Sequence, residues 1–508
     1  MTTAAGSAHD GHSAGLRYGQ PAGRWVLLAT VLGSGMAFLD ATVVSIALPP
    51  IGRDLDAGAA DLQWVVNAYT LTLAAFILLG GSLGDRFGRR RIFLVGVVCF
   101  AAASALCGFA PNVGTLVAAR ALQGLGGALL TPGSLAILQS SFAPEDRMRA
   151  IGAWSGLAGV AGAIGPLLGG WLVEVASWRL VFLINLPVAL AVGLVTIRHV
   201  PESVDPDAVR RLDVAGTGLA ALGLGGLTYG LTAWSARGPS DPAVIGALVL
   251  GVVALAAFVA TEWRSSAPML PLDLFRSRVF TAVNAVTFVV YAALGGVFFF
   301  LVVHLQVVAG FPPLEAGLAL LPVTLLMLIL SARVGALANR IGPRLPMTVG
   351  PLVCALAVVG LSRIGEGARY VTDVLAWVSL LGLGLSLTVA PLTATALAAV
   401  EDRHAGLASG VNNAVARTAG LLAVAALPLL SGVGESLTDP TTLAPAYRTA
   451  MLICAGLMAL GGLTSLATIP SSYEAVRPSV PTAGGRTTSP VRSHCAIGAP
   501  PLHPPSSS

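Results

Sequence analysis

The chain has 508 residues, of which 55% are hydrophobic and only 10% charged, with a mean hydropathy of +0.82. An average globular chain is about a quarter charged, so this composition excludes an ordinary soluble protein and points to a polytopic helical membrane protein. The net charge is +5, all 29 basic residues are arginine, and they lie in short loops, not in one patch, which argues against a nucleic-acid partner.

In chain order, residues 1–24 are a polar tail with two arginines and no apolar core, unlike a cleavable signal. Apolar runs follow at 25–48, 62–83, 91–109, 115–140, 150–172, 180–198, 213–234, 242–262, 279–307, 314–337, 344–362, 371–398, 405–432 and 448–470, fourteen candidate spans. With the first tail inside, 21 arginines fall in inner loops and 6 in outer ones. That bias puts both termini in the cytoplasm of a cell (plasma) membrane protein. Residues 471–508 are rich in proline and serine and are expected to be disordered. Cys99, Cys107, Cys354, Cys454 and Cys495 show no metal-ligand spacing, so no metal is expected, and the first four read as small core residues.

A charged turn follows the second run, Gly81-x-Leu83-x-Asp85-Arg86-x-Gly88-Arg89-Arg90. It recurs as Gly335-x-Leu337-x-Asn339-Arg340-x-Gly342-x-Arg344, at an offset of 254. Glu145-Asp146-Arg147 recurs as Glu401-Asp402-Arg403, at an offset of 256. The two matches align spans 1–6 with spans 9–14. The expected architecture is therefore all-α: a bundle over 25–198, a linker with two extra spans over 199–278, and a second bundle over 279–470. Parallel repeats of six spans with a site between the halves are a transporter plan.

Four stretches resemble the major facilitator superfamily, specifically its fourteen-span drug:proton antiporter branch. They are the Gly81–Arg90 turn, Leu39-Asp40-Ala-Thr42-Val-Val-Ser45-Ile-Ala47-Leu48-Pro49 in span 1, Leu116-x3-Arg120-x2-Gln123-Gly124-x-Gly126-Gly127 in span 4, and Gly165-Pro166-x2-Gly169-Gly170 in span 5. Ser45 stands where the branch usually has Asn, and Ala161 where it usually has Gly. The resemblance implies a proton-coupled exporter of hydrophobic or amphipathic small molecules, working by alternating access in a lipid bilayer. Its alternatives are a transporter of one specific physiological solute in the same fold and, further off, a membrane enzyme or receptor. With no phosphate-binding loop and no catalytic cluster, neither nucleotide, cofactor nor enzymatic activity is expected, and the proton gradient is the driving force.

The residues carry their own reading. A carboxylate inside an apolar helix costs about 2.5–3.5 kcal/mol even on the milder insertion scale, so Asp40 is a proton-coupling candidate. Counted from the span ends, Arg120 lies at about the same depth as Asp40, and Gln123 one turn on could join them in one polar network. Gly165, Pro166 and Gly169 belong to a small-residue face suited to close packing and to gating. In the turn, Gly81 and Gly88 permit the tight geometry, and Arg86, Arg89 and Arg90 hold it inside. Asp85 is the latch candidate, favoured by a nearby arginine or helix N-terminus. Gln63, Asn67, Asn185, Asn284, His304, Asn412 and Asn413, together with Gln123, are candidate lining of a substrate cavity.

Overall fold

The computed structural model describes residues 15–205, 212–265, 268–401, 405–433, 437–473 and 476. The expectations for Asp402, Arg403, residues 1–14 and nearly all of the C-terminal tail lie outside the described residues. The first seven helices are α1 (Pro21–Asp54), α2 (Ala59–Phe87), α3 (Arg89–Gly108), α4 (Val113–Ser141), α5 (Pro144–Val175), α6 (Leu180–Leu183) and α7 (Asn185–His199). A hairpin of α8 (Val214–Arg237) and α9 (Pro242–Arg264) follows. Then come α10 (Arg278–Val307), α11 (Pro313–Leu318), α12 (Leu321–Ile341), α13 (Arg344–Leu361), α14 (Leu375–Ala398), α15 (Ala405–Ser431) and α16 (Pro440–Thr468).

Among the described residues, thirteen helical stretches are long and apolar enough to cross a membrane, with α6–α7 and α11–α12 each forming one. The fifth expected span falls in α5, whose apolar stretch, Val160–Val175, is shorter.

Prolines explain where the helices break or begin. Pro187 lacks the amide that would bond the Leu183 carbonyl, and the helix is interrupted at Ile184. Pro322 does the same to Leu318, dividing α11 from α12. At Asp439-Pro440 an acceptor side chain meets a proline preorganised for the first turn, and Asp439 Oδ1 takes the Thr441 amide at 3.0 Å. The last helix accordingly starts at Pro440, ahead of the apolar run at 448 that marks it in the sequence.

The helices pack in two sets with the same internal pattern. In the first set α1 packs on α5 and α7, α4 on α2 and α3, and α3 on α7. In the second, α10 packs on α15 and α16, α14 on α12 and α13, and α13 on α16. The sets meet through α1 with α10, α2 with α15, and α5 with α11 and α12. The hairpin lays α8 along the seam between α2 and α15, where Ala74, Leu224 and Leu421 form a small shared cluster. Outside it, α9 presents Val249, Leu250, Val252, Val253 and Val259 to its surroundings, as a lipid-facing helix would.

The two ends of the molecule differ. At the end marked by Asp54, one apolar core joins both sets, running from Val43–Ile51 and Trp178–Phe182 to Phe299–Leu305 and Leu437–Tyr447. Contacts that cross there include Gln306 Nε2 donating to the Ile46 carbonyl at 3.1 Å, the Leu314 amide donating to Glu174 Oε2 at 3.2 Å, and Gly317 against the Pro166 carbonyl. At the opposite end, marked by Arg89, the cores are separate. One lies within the first set around Val26, Phe93 and Phe142, the other around Phe280, Val400 and Val411.

Candidate functional site

Four helices of the first set converge on Asp40. Helix α1 supplies Asp40, α3 supplies Ser104 and Cys107, α4 supplies Arg120 and Gln123, and the break before α7 turns Asn185 inward. Arg120 Nη1 donates to Asp40 Oδ2 at 2.6 Å and to Gln123 Oε1 at 2.7 Å. Gln123 Nε2 donates to Asp40 Oδ1 at 2.8 Å and to Ser104 Oγ at 2.7 Å. Asn185 Nδ2 reaches the same two acceptors at 3.3 and 3.0 Å. Arg120 Nε donates to the Val65 carbonyl at 3.0 Å, and the guanidinium lies 4.4 Å from the Tyr69 ring centroid and 5.7 Å from that of Phe182. Asp40 is fully buried and Arg120 is 1% exposed.

Both oxygens of Asp40 are engaged, so the carboxylate is satisfied as an anion by one cation and two amides. A proton on Asp40 would remove the ion pair and leave Arg120 to find another acceptor. Chemically the cluster can therefore exchange a proton for a rearrangement of Arg120. Ser104 and Phe182 complete the site without a sequence signal of their own: a serine and a phenylalanine in apolar helices look like any packing residues.

The small-residue face of α5 is divided. Gly162, Gly165 and Gly169 seat α1, against Phe38, Thr42 and Val43 respectively. Gly170 and Pro166 instead seat α11, against Pro313, Leu314 and Gly317. Gly152, on the same small-residue series, faces open space. Pro166 cannot bond the Gly162 carbonyl, and that carbonyl accepts the Thr42 hydroxyl from α1 at 3.0 Å.

In the charged turn, Arg86 lies over the Phe87 ring at 4.9 Å, and Gly88 has φ +110°, a conformation that favours glycine. Asp85 pairs with Arg89 Nη2 at 2.8 Å, four residues on. The carboxylate on the α3 N-terminus is another one. Glu202, just after α7, accepts the Arg90 and Arg91 amides at 3.0 and 3.2 Å. Its segment is tied across the turn by Arg89 N to Ser203 O and Asp205 N to Asp85 O, both 2.9 Å, and by Arg90 Nη1 to Val200 O at 3.1 Å. Gly81 has ordinary room, whereas neighbouring Gly80 lies against the Ala128 carbonyl of α4. In the second copy Gly342 has φ +84° and packs against the Ser471 carbonyl, beyond α16.

The remaining cavity candidates scatter. Asn412 Nδ2 donates to Asn284 Oδ1 at 3.2 Å and Thr287 Oγ1 at 2.9 Å, a polar cluster internal to the second set. Asn413 is exposed and donates to the Ser409 carbonyl at 3.1 Å. His304 is packed away from the Asp40 cluster: its ring stacks on Tyr447 at 3.6 Å and Nε2 donates to the Ile364 carbonyl at 2.9 Å. Gln63 and Asn67 are buried, with Gln63 Oε1 and both polar atoms of Asn67 lacking a hydrogen-bond partner.

The sequence matches the Major Facilitator Superfamily over residues 30–424. The chain belongs to that superfamily. Among its relatives, the tetracenomycin C resistance and export protein of Streptomyces glaucescens is 38% identical over 438 residues, covering 85% of this chain and 80% of the relative. The multidrug resistance protein Stp of Mycobacterium tuberculosis is 39% identical over 390 residues, covering 76% and 72%. The inward-facing, unoccupied crystal structure of a bacterial homologue of the human lysosomal transporter Spinster superposes with a TM-score of 0.63 at 19% identity, covering 91% of this chain and 99% of that one. As a superfamily member with this many apolar helices, the protein is a multi-pass membrane transporter.

Proposed function

We propose that this transporter is a proton-coupled antiporter that exports hydrophobic or amphipathic small molecules by alternating access. It would sit in the plasma membrane with both termini cytoplasmic and fourteen spans, two six-helix repeats flanking the α8–α9 pair. The observation that carries the reading is Asp40: a fully buried carboxylate inside a membrane helix, closed by Arg120, Gln123 and Asn185. Such acids are costly and mark ion pathways and proton relays. The export direction is supported by the relatives, which are named as resistance and export proteins.

In this mechanism the Asp54 end is the outer one and is closed, while the Arg89 end faces the cytoplasm with its two cores apart. Substrate enters from there. Opening the outer end exposes the Asp40 cluster to protons, and protonation competes with substrate occupancy through the network of Arg120 and Gln123, so the substrate leaves there. The return swing delivers the proton inward. The test is Asp40→Asn in a host lacking its own pumps. Efflux driven by a pH gradient should fall to background with the protein still in the membrane. Efflux that keeps its dependence on the gradient would sink the reading.

A further inference from the structure

Arg417 is a second intramembrane cation that the Asp40 cluster does not use. It lies near the middle of the 27-residue helix α15, with twelve residues before it and fourteen after. Its guanidinium sits 5.8 Å from the ring centroid of Phe38, which belongs to α1 of the other set. The side chain therefore stands where the two sets face each other. It is half-buried and, among the described residues, makes no ion pair and no side-chain hydrogen bond. Asp40, two residues from Phe38, is no partner, because both of its oxygens are taken.

The surroundings are built for an occupant. Asn413, Arg417 and Gly420 share one face of α15; Asn413 is exposed, and a side chain at Gly420 would meet nothing within 4 Å. Tyr69 of α2 and Tyr291 of α10 lie within electrostatic reach of the guanidinium. On α2, Gln63 and Asn67 share the helix face of Ala74 and Leu78, which meet Leu421 and Gly410 of α15, so their unpartnered amide atoms lie on the seam as well. Asp40 and Arg120 cancel, which leaves the space between the sets with one positive charge that no described residue neutralises. A guanidinium at this depth in a membrane protein calls for a counter-charge.

We infer that the transported molecules are amphipathic anions, whose carboxylate or phenolate pairs with Arg417 while an apolar body packs on Phe38 and Tyr291. The inference rests on the exporter reading and names its substrate class. Arginine suits the task, because its planar fork binds a carboxylate through two parallel donors.

The test uses the full-length protein in lipid nanodiscs and three fluorescent probes with one ring system: 4-(1-pyrenyl)butyrate, its methyl ester, and the matching trimethylammonium cation. Empty nanodiscs supply the partitioning background. Wild-type protein should bind the butyrate at least tenfold more tightly than the ester or the cation. Arg417→Gln should erase that preference while leaving the ester's affinity unchanged, and Arg417→Lys should keep a part of it. Wild-type protein that binds all three alike, prefers the cation, or binds none overturns the inference, whatever the variants do. So does an Arg417→Gln protein that loses all three equally, since that is a structural effect. Efflux in cells is scored separately: charge-selective binding without energy-dependent efflux of any compound sinks the exporter reading, and efflux without charge selectivity sinks this one.

Discussion

Asp40 and Arg120 meet at 2.6 Å because α1 and α4 bring them together. Removing one member of a buried ion pair leaves an uncompensated charge and costs about 3–5 kcal/mol, whereas removing both can be nearly neutral. Arg120→Ala should therefore lower the amount of folded protein in the membrane and its melting temperature in detergent, and Asp40→Asn combined with Arg120→Gln should restore much of both. A double variant no better than Arg120→Ala alone would show that the pair is not what the cluster depends on. The acid and the arginine stand out in the sequence because charge inside apolar runs is rare. Ser104 and the inward turn of Asn185 do not, since a serine is at home in any membrane helix and the turn depends on a break that Pro187 places in space.

At the scale of elements, the strap from Val200 to Asp205 adds something to the charged turn that its own residues lack. Glu202 supplies the negative charge at the α3 N-terminus, an interaction of about 0.3–1 kcal/mol at a partly exposed site. Glu202→Gln keeps the acceptor shape but loses the charge. It should lower the melting temperature slightly and reduce turnover more than Asp85→Asn does if the strap, and not Asp85, holds the turn; measured export rates at equal expression decide between the two. In the second copy Gly342 packs against the Ser471 carbonyl, and Asn339 stands at the position that Asp85 holds in the first. The sequence repeat displays the turns because glycines at fixed spacing survive in both. It hides the straps, which touch the turns only after the four intervening spans have folded.

The whole molecule closes at one end through close backbone approaches. Gly317 of α11 and Gly170 of α5 each leave no room for a side chain against the opposite set. Gly317→Val should hold the Asp54 end apart. A cysteine placed at Gln306 should then react faster with a membrane-impermeant thiol reagent added from outside, while transport falls and expression holds. Unchanged labelling together with unchanged transport would mean that this contact does not form the closed end. Because α8 covers the α2–α15 seam, any rocking of the sets must slide beneath it or carry it along, and the small residues Gly223, Gly226 and Gly230, which let α8 sit tightly on α9, favour the hairpin moving as one body.

The amino-acid sequence by itself determined that the chain is a helical membrane protein with an internal repeat, because hydrophobic length and glycine spacing are local properties and survive in one dimension. It also singled out Asp40, Arg120 and Gln123, since a polar group in an apolar run is conspicuous wherever it ends up. Tertiary structure alone decided which polar groups touch, that His304 belongs to the packing around Tyr447, and that Glu202 caps α3. It alone set Arg417 across from Phe38 with no counter-charge among the described residues. Pairing and the lack of it depend on residues far apart in the chain, and only folding fixes those distances.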